Sequence, residues 1–114
     1  MLGKDSPAIK EGRVIASQSL SGTGALKLAS EFLRRLCKID TVYLSDPGFP
    51  VHNLQFRHAN FANIRAYRYW HAENRSIDFD GMMQDLQEAP PRSVVLLQAC
   101  CHNPTGKWRI STWC

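Results

Sequence analysis

The chain has 114 residues, of which 44% are hydrophobic and 21% are charged, as in an ordinary folded protein and unlike a disordered one. This length fits one domain or part of one. The net charge is +4 at pH 7. The basic residues are scattered and follow no nucleic-acid motif, so we do not expect nucleic-acid binding. No apolar run approaches the roughly 18 residues of a membrane span, so no membrane insertion is expected either.

The N-terminal residues and the cysteines both favour a reducing compartment. The segment Met1–Pro7 lacks the apolar core of a secretion signal, and we therefore expect a cytoplasmic protein. No C-x-x-C pair is present. Adjacent residues on a strand point to opposite faces, so neighbouring cysteines are expected to be poor joint metal ligands, and all thiols are expected to be reduced. The four cysteines are Cys37, Cys100, Cys101 and Cys114.

The first third of the chain predicts a short helix, a strand and a long helix. Residues 1–12 are typical of a lead-in segment that contains a short helix, with Ser6 as N-cap and Pro7 at the first helical position. Residues 13–17 can form a strand. The apolar residues of 24–37 recur at helical spacing and predict an amphipathic helix.

The middle of the chain predicts a strand, a helix and a second strand. Residues 41–45 form the first of these strands, which ends at the Pro- and Gly-rich segment 46–50. Residues 51–60 predict a helix. Residues 63–70 alternate apolar and basic side chains, which is typical of a strand with one wetter face, and 71–76 is a polar connection.

The last third predicts a helix and a buried strand. Asp78 can cap a helix over 79–89. The run 93–100 is almost entirely apolar, which is typical of a strand buried on both faces by helices. The alternation of strands and helices along the chain predicts an α/β fold with a mostly parallel sheet of four strands.

Ligands of such sheets bind beyond the carboxyl ends of the strands. Three Gly- or Pro-rich loops are predicted there, at residues 19–25, 46–52 and 101–106. We expect these loops to converge on one edge of the sheet.

The first of these loops can bind a phosphate. Gly22 and Gly24 let the backbone approach an anion, and the hydroxyls of Ser21 and Thr23 add two donors next to a helix N-terminus. The alternative is that Ser21 or Thr23 only caps the helix and that the glycines only serve the turn. The loop matches neither G-x-G-x-x-G nor a P-loop, so a nucleotide is not the first expectation.

Five segments follow one another along the chain: Gln18–Leu26, Ser45–Pro47 with His52–Asn53, Tyr67–Trp70, Ile77–Gly81 and His102–Gly106. In this order they resemble the aspartate aminotransferase family, the fold-type I enzymes that use pyridoxal 5′-phosphate (PLP). The resemblance implies that residues 1–106 are part of the large, cofactor-binding domain of such an enzyme, and that 107–114 are an unrelated tail.

The resemblance implies specific cofactor contacts. Ser21, Gly22 and Thr23 would bind the PLP phosphate. Asn103 would donate a hydrogen bond to the phenolic oxygen of the cofactor, which a neutral amide can do without competing for the transferred proton. His52 matches a histidine that lies behind the cofactor and supports the carboxylate facing the pyridine nitrogen.

Two residues depart from the family pattern. Phe49 stands where the family usually stacks a Trp on the pyridine ring, so the aromatic face is smaller. Gln98 stands where the family tends to have a His, which alters the hydrogen-bond network behind the ring. These departures suggest a divergent member with weak or altered activity. Pro47 and Pro104 match positions where the family tends to use cis peptide bonds.

The implied reaction is transamination of acidic amino acids with 2-oxo acids, in a homodimer. The family's Schiff-base lysine, and the arginines that choose the substrate, have no match in this chain. Lys27, Lys38 and Lys107 are not in that lysine's context, so no catalytic residue is assigned and the isolated chain is expected to be inactive. The alternative is a non-catalytic truncated or alternatively spliced product that is unstable or interferes with dimers of the full-length protein.

Overall fold

The structure is a computed structural model that describes residues 5–107. Residues 1–4 of the predicted lead-in and 108–114 of the predicted tail lie outside the described range. None of the helices in that range is long and apolar enough to cross a membrane. The elements in chain order are α1 (Pro7–Lys10), α2 (Ser21–Arg35), β1 (Thr41–Asp46), α3 (Pro50–His58), β2 (Asn63–Arg68), β3 (Trp70–His71), β4 (Ser76–Ile77), α4 (Phe79–Gln87) and β5 (Val94–Val95).

Strand β1 lies at the centre of a parallel three-stranded sheet with the order β2-β1-β5. Val42 lies opposite Ile64 on one side and Val94 on the other. The sheet is parallel and its strands are joined through helices, so the predicted α/β class is confirmed. Because all three strands run in one direction, their carboxyl ends meet at one edge.

The side chains of β1 divide the core into two parts, because successive residues of a strand point to opposite faces. Val42 and Leu44 pack with Phe56 of α3 and with apolar residues of α2. Tyr43 packs on the other face with Met82 of α4. Helices therefore cover both faces of the sheet.

The predicted strand at residues 13–17 is wrong. These residues form no strand and pair with none of the strands in the sheet. Ile15 is 99% exposed. A short apolar run suits a strand, but a strand also needs a neighbour for its backbone hydrogen bonds, and the described residues offer none at this place.

The predicted strand 93–100 is reduced to Val94–Val95, and its burial on both faces is also wrong because both residues are only half-buried. Within residues 5–107, β5 pairs with β1 on one side and with no strand on the other.

A short antiparallel hairpin occupies the segment predicted as a polar connection. Trp70 pairs with Ile77, and His71 pairs with Ser76. Tyr69 joins β2 to the hairpin. Its backbone N–H donates to the carbonyl of Asp46, the last residue of β1, at 3.2 Å, so the start of the hairpin stays beside the sheet. Two-residue strands with polar turns carry no alternation long enough for sequence analysis to detect.

The helix boundaries shift by a few residues from prediction. Helix α2 begins at Ser21 instead of residue 24, so most of the Gly-rich loop is its first turn. Helix α3 begins at Pro50, which suits a proline because the first helical N–H needs no partner. The predicted cap of α4 is confirmed, since the Asp78 carboxylate accepts a hydrogen bond from the Gly81 N–H at 2.9 Å.

An ion pair between Arg68 and Asp85 joins α4 to the sheet. The Arg68 guanidinium, at the end of β2, donates to both carboxylate oxygens of Asp85, and the shortest of these bonds, from Nη2 to Oδ1, is 2.7 Å. The Arg68 backbone N–H donates to the same carboxylate, at 2.7 Å. The Arg68 guanidinium accordingly lowers the pKa of Asp85. This fork holds α4 across the edge strand β2.

We expect Asp78→Ala to lower the free energy of unfolding by about 1 kcal/mol, because it removes the side-chain cap of α4. The same carboxylate lies 3.2 Å from His71 Nε2, so the substitution also loosens the hairpin. Chemical denaturation of both proteins measures the difference. Asp80→Ala is the matched control, since Asp80 is exposed in the same helical turn and makes no cap. Equal losses in the two variants would contradict the cap.

Candidate functional site

A cavity of about 440 Å³ lies where the start of α2 meets the start of α3. Its lining brings together four of the six predicted site residues: Gly22, Thr23, Phe49 and His52. Apolar residues such as Leu26 and Leu96 complete the wall. Two of the three predicted loops therefore converge, as expected. The other two predicted residues, Ser21 and Asn103, do not line this cavity.

The start of α2 offers backbone donors to the cavity. The N-cap is Leu20, which makes no side-chain cap. The Gly24 N–H donates to the Leu20 carbonyl at 3.1 Å. The preceding N–H groups of Ser21, Gly22 and Thr23 therefore fall before the first intrahelical bond. The alternative in which Ser21 or Thr23 is the N-cap is wrong, because that position belongs to Leu20.

Phe49 and His52 form an aromatic wall of the cavity. Their ring centroids lie 5.6 Å apart and the rings are nearly perpendicular, at 86°. The His52 N–H donates to the Phe49 carbonyl at 3.0 Å, in the first turn of α3. Phe49 is 38% exposed, so part of its ring is open to a ligand. Burial lowers the pKa of His52, so its imidazole is neutral at pH 7.

The same two residues also line a second cavity of about 260 Å³ at the end of β1. Asp46 and Arg65 are among its other lining residues. Phe49 and His52 thus contact both cavities, the first mainly apolar and the second carrying charged groups. Phe49 and His52 therefore separate the mainly apolar first cavity from the charged groups of the second cavity.

The third predicted loop is joined to β1 by His102, which begins the segment His102–Gly106 but was assigned no role from the sequence. His102 is 2% exposed. Its Nε2 lies 2.9 Å from the Ser45 hydroxyl and its Nδ1 lies 3.0 Å from the Thr105 hydroxyl. The Tyr69 ring stacks on the imidazole, with centroids 3.8 Å apart. Ser45 and His102 are far apart in sequence, so no local spacing indicates this contact.

Asn103 lies in the turn that His102 anchors, and it is exposed. Its backbone N–H donates to the Gln98 side-chain oxygen at 2.9 Å, and its carbonyl accepts from the Gln98 amide at 3.5 Å. Gln98, which replaces the expected histidine, therefore holds the backbone of this turn. The Asp46–Pro47 and Asn103–Pro104 peptide bonds are both cis, as predicted for Pro47 and Pro104.

The sequence predicted that the neighbouring cysteines would be poor joint metal ligands. Within residues 5–107, no group of three or more His, Cys, Asp or Glu side chains is arranged to hold a metal ion. The cysteines of that range, Cys37, Cys100 and Cys101, are free thiols.

Comparison with known proteins gives a consistent family. The family model described as aminotransferase class I and II matches residues 1–110. The chain is 44% identical over 106 residues to the cytoplasmic aspartate aminotransferase of Caenorhabditis elegans, covering 93% of this chain and 26% of the relative. It is 47% identical over 110 residues to the cytoplasmic aspartate aminotransferase of Gallus gallus, covering 92% and 27%.

Solved structures agree. An aromatic-amino-acid aminotransferase from Burkholderia pseudomallei, covalently bound to pyridoxal phosphate, superposes with a TM-score of 0.85 at 44% identity, over 96% of this chain and 27% of that chain. Aspartate aminotransferase from Saccharomyces cerevisiae cytoplasm gives a TM-score of 0.81 at 39% identity, over 90% and 24%. The chain thus spans about a quarter of the length of these relatives.

We expect the stability of the protein to fall as the pH drops from 7 to 5, because burial lowers the pKa of His102. In the unfolded chain a histidine takes up a proton as the pH falls below about 6.5. The same residue with a lowered pKa in the folded chain takes up its proton only at lower pH. Stability is therefore complete above that pH and is lost as the pH falls towards the folded pKa. Denaturation at several pH values measures this loss.

His102→Gln separates this residue from His52, whose lowered pKa acts in the same direction. The variant should be less stable at pH 7, because a buried contact between β1 and the turn is lost, and its stability should depend less on pH between 7 and 5. Titration of the His102 ring by NMR, with a midpoint at or above 6.5, would contradict the expectation.

Proposed function

Because the chain belongs to the aminotransferase class I and II family, we propose that it forms the phosphate- and ring-binding part of a PLP-dependent transaminase for acidic amino acids. The observation that carries this proposal is the cavity of about 440 Å³ in which the start of α2 faces Phe49 and His52. Apolar walls with a few polar groups at one end are typical of a cofactor pocket. The residues present therefore fit PLP.

The phosphate is assigned to the first turn of α2. The N–H groups of Ser21, Gly22 and Thr23 come before the first intrahelical hydrogen bond, and the helix dipole adds partial positive charge there. The hydroxyls of Ser21 and Thr23 supply further donors. The cavity lining contains no carboxylate that would repel a dianion. This end of the cavity thus suits a phosphate group.

The pyridine ring is assigned to the aromatic wall. Phe49 offers an exposed ring face, and His52 lies against it as a neutral donor or acceptor. Asn103 is assigned to the phenolic oxygen, because its turn is joined to the end of β1 through His102. When bound, PLP supplies an electron sink for charge that develops on the α-carbon of an amino acid. The residues of this chain hold and orient the ring.

Acidic amino acids and 2-oxo acids are proposed as the substrates of the whole protein, because the relatives from Caenorhabditis elegans and Gallus gallus are aspartate aminotransferases. The similarity to an aromatic-amino-acid aminotransferase indicates that this part of the fold also serves other substrates. The same proposal includes a homodimer in the cytoplasm. The names of these two relatives support the cytoplasmic location. The proposal assigns residues 1–106 to part of the cofactor-binding domain and 107–114 to sequence outside it.

The isolated chain is proposed to bind the cofactor without turnover. None of the nine residues that line the cavity is a lysine. A transaminase needs an amine close to the cofactor to move protons. The second candidate function is a non-catalytic product, which the absence of a lysine from the cavity lining also favours.

Replacing both Ser21 and Thr23 by Ala should weaken PLP binding at least tenfold, because each lost hydrogen bond to a charged group is worth about 1.5–3 kcal/mol. Fluorescence or absorbance titration with PLP measures the affinity. Pyridoxal, which lacks the phosphate, should bind the parent chain and the variant equally weakly.

Ser17→Ala is the control, since Ser17 is an exposed serine outside α2. Equal affinity of the Ser21/Thr23 variant and the parent chain for PLP would contradict the phosphate assignment. PLP that stays bound to the parent chain after borohydride reduction would contradict the absence of a reacting lysine.

Substitutions at Phe49 test the aromatic wall separately. Phe49→Ala should weaken PLP binding about three- to tenfold, and Phe49→Trp should preserve or tighten it, because aromatic stacking is worth about 0.5–1.5 kcal/mol. The same titration gives both values. Leu54→Ala is the control, because Leu54 is an exposed apolar residue of the same helix α3 that does not line the cavity. A Phe49→Ala variant with the parent affinity would overturn the ring assignment.

A further inference from the structure

The adjacent residues Cys100 and Cys101 do not have the geometry expected from the sequence. A strand through residue 100 would point the two thiols to opposite faces. In the structure β5 ends at Val95, and both cysteines lie in a bend, where both are exposed. The reason for expecting them to be poor joint ligands therefore does not hold.

The backbone of this bend keeps the two cysteines together. Their Cα atoms are about 3.8 Å apart, as in any trans-linked pair. Cys101 has a φ of 51°, a left-handed conformation that turns the chain sharply at this residue. The base of the bend is closed by the hydrogen bonds between Gln98 and the Asn103 backbone. Two accessible thiols are thus presented on a restrained segment of six residues.

The thiols also influence each other. Partial desolvation by neighbouring atoms, followed by the hydrogen bond and the charge interaction with Cys100, raises the pKa of the exposed Cys101 thiol. The Cys101 thiol is therefore a weaker acid than an isolated cysteine, which disfavours reactions that need its thiolate. In residues 5–107 no third His, Cys, Asp or Glu side chain completes a metal site around them. A ligand for this pair must take two sulfurs and no more.

We propose that Cys100 and Cys101 form a dithiol site for trivalent organoarsenicals. A monosubstituted organoarsenic(III) oxide has two exchangeable positions and is soft, which suits two thiol sulfurs. The reaction breaks two S–H bonds and forms two As–S bonds. The two protons leave with the oxide oxygen as one water molecule, and arsenic stays trivalent. No oxidant or reductant is needed.

Phenylarsine oxide is the probe for the full chain with Cys37→Ser and Cys114→Ser, which leaves only the adjacent pair. Mixed with the protein in excess glutathione, it should add one phenylarsenic unit less two hydrogens, measured by intact-protein mass spectrometry. A monothiol cannot displace a ring formed with two sulfurs, whereas a dithiol such as 2,3-dimercaptopropanol should remove the adduct completely.

Two further variants test the need for both sulfurs. Adding Cys100→Ser or Cys101→Ser should abolish the retained adduct, because one thiol binds arsenic through a single, exchangeable bond. A variant that keeps only Cys37, with the other three cysteines replaced by Ser, should also retain none, because it has a single thiol. Circular dichroism verifies that each variant is folded. Loss of the adduct to glutathione in the adjacent-pair protein, or its retention in any single-thiol variant, would overturn the proposal.

Discussion

Parallel pairing along β1 is the constraint on which the described structure depends. This strand pairs with β2 over six positions and with β5 at two, and it contributes Val42 and Leu44 to one core and Tyr43 to the other. Because both neighbours run parallel to it, the chain leaves the sheet repeatedly at the same edge. The segments after β1 and after β5, which carry Phe49 and Asn103, are neighbours for this reason.

Two separate contacts join the three loops at that edge. The cavity links the start of α2 to the start of α3, through Thr23 and His52. The buried imidazole of His102 links the end of β1 to the turn after β5, through the Ser45 hydroxyl. The first contact leaves open space and the second is closely packed. The edge therefore combines an accessible pocket with a rigid support, a common arrangement in cofactor sites.

Sequence reasoning succeeded where local information decides the structure. The spacing of apolar residues predicted α2, the Asp78 cap predicted the start of α4, and the alternation of strands and helices predicted the parallel sheet. The placement of Gly22 and Thr23 near Phe49 followed from the same alternation. The roles of Gly22, Thr23 and Phe49 in binding the cofactor remain predictions. The roles of Ser21, His52 and Asn103 also remain predictions.

The failures share one cause, which is that the deciding partner lies far away in sequence or is absent from the described residues. Residues 13–17 have the composition of a strand, but no neighbouring strand pairs with them. The run 93–100 forms only a short strand at the sheet edge. The contact of His102 with Ser45 was not predicted, because the two residues lie 57 positions apart in sequence. Patterns in a short window do not contain this information.

Ser21 has a consequence for the balance between stability and ligand recognition. Its φ of 58° is left-handed, a conformation that costs an L-residue with a side chain about 1–2 kcal/mol relative to glycine. A glycine would relieve that strain but would take away the hydroxyl assigned to the phosphate. The backbone at Ser21 thus carries an energetic penalty that glycine would avoid, and the proposed phosphate contact would account for a serine at this position.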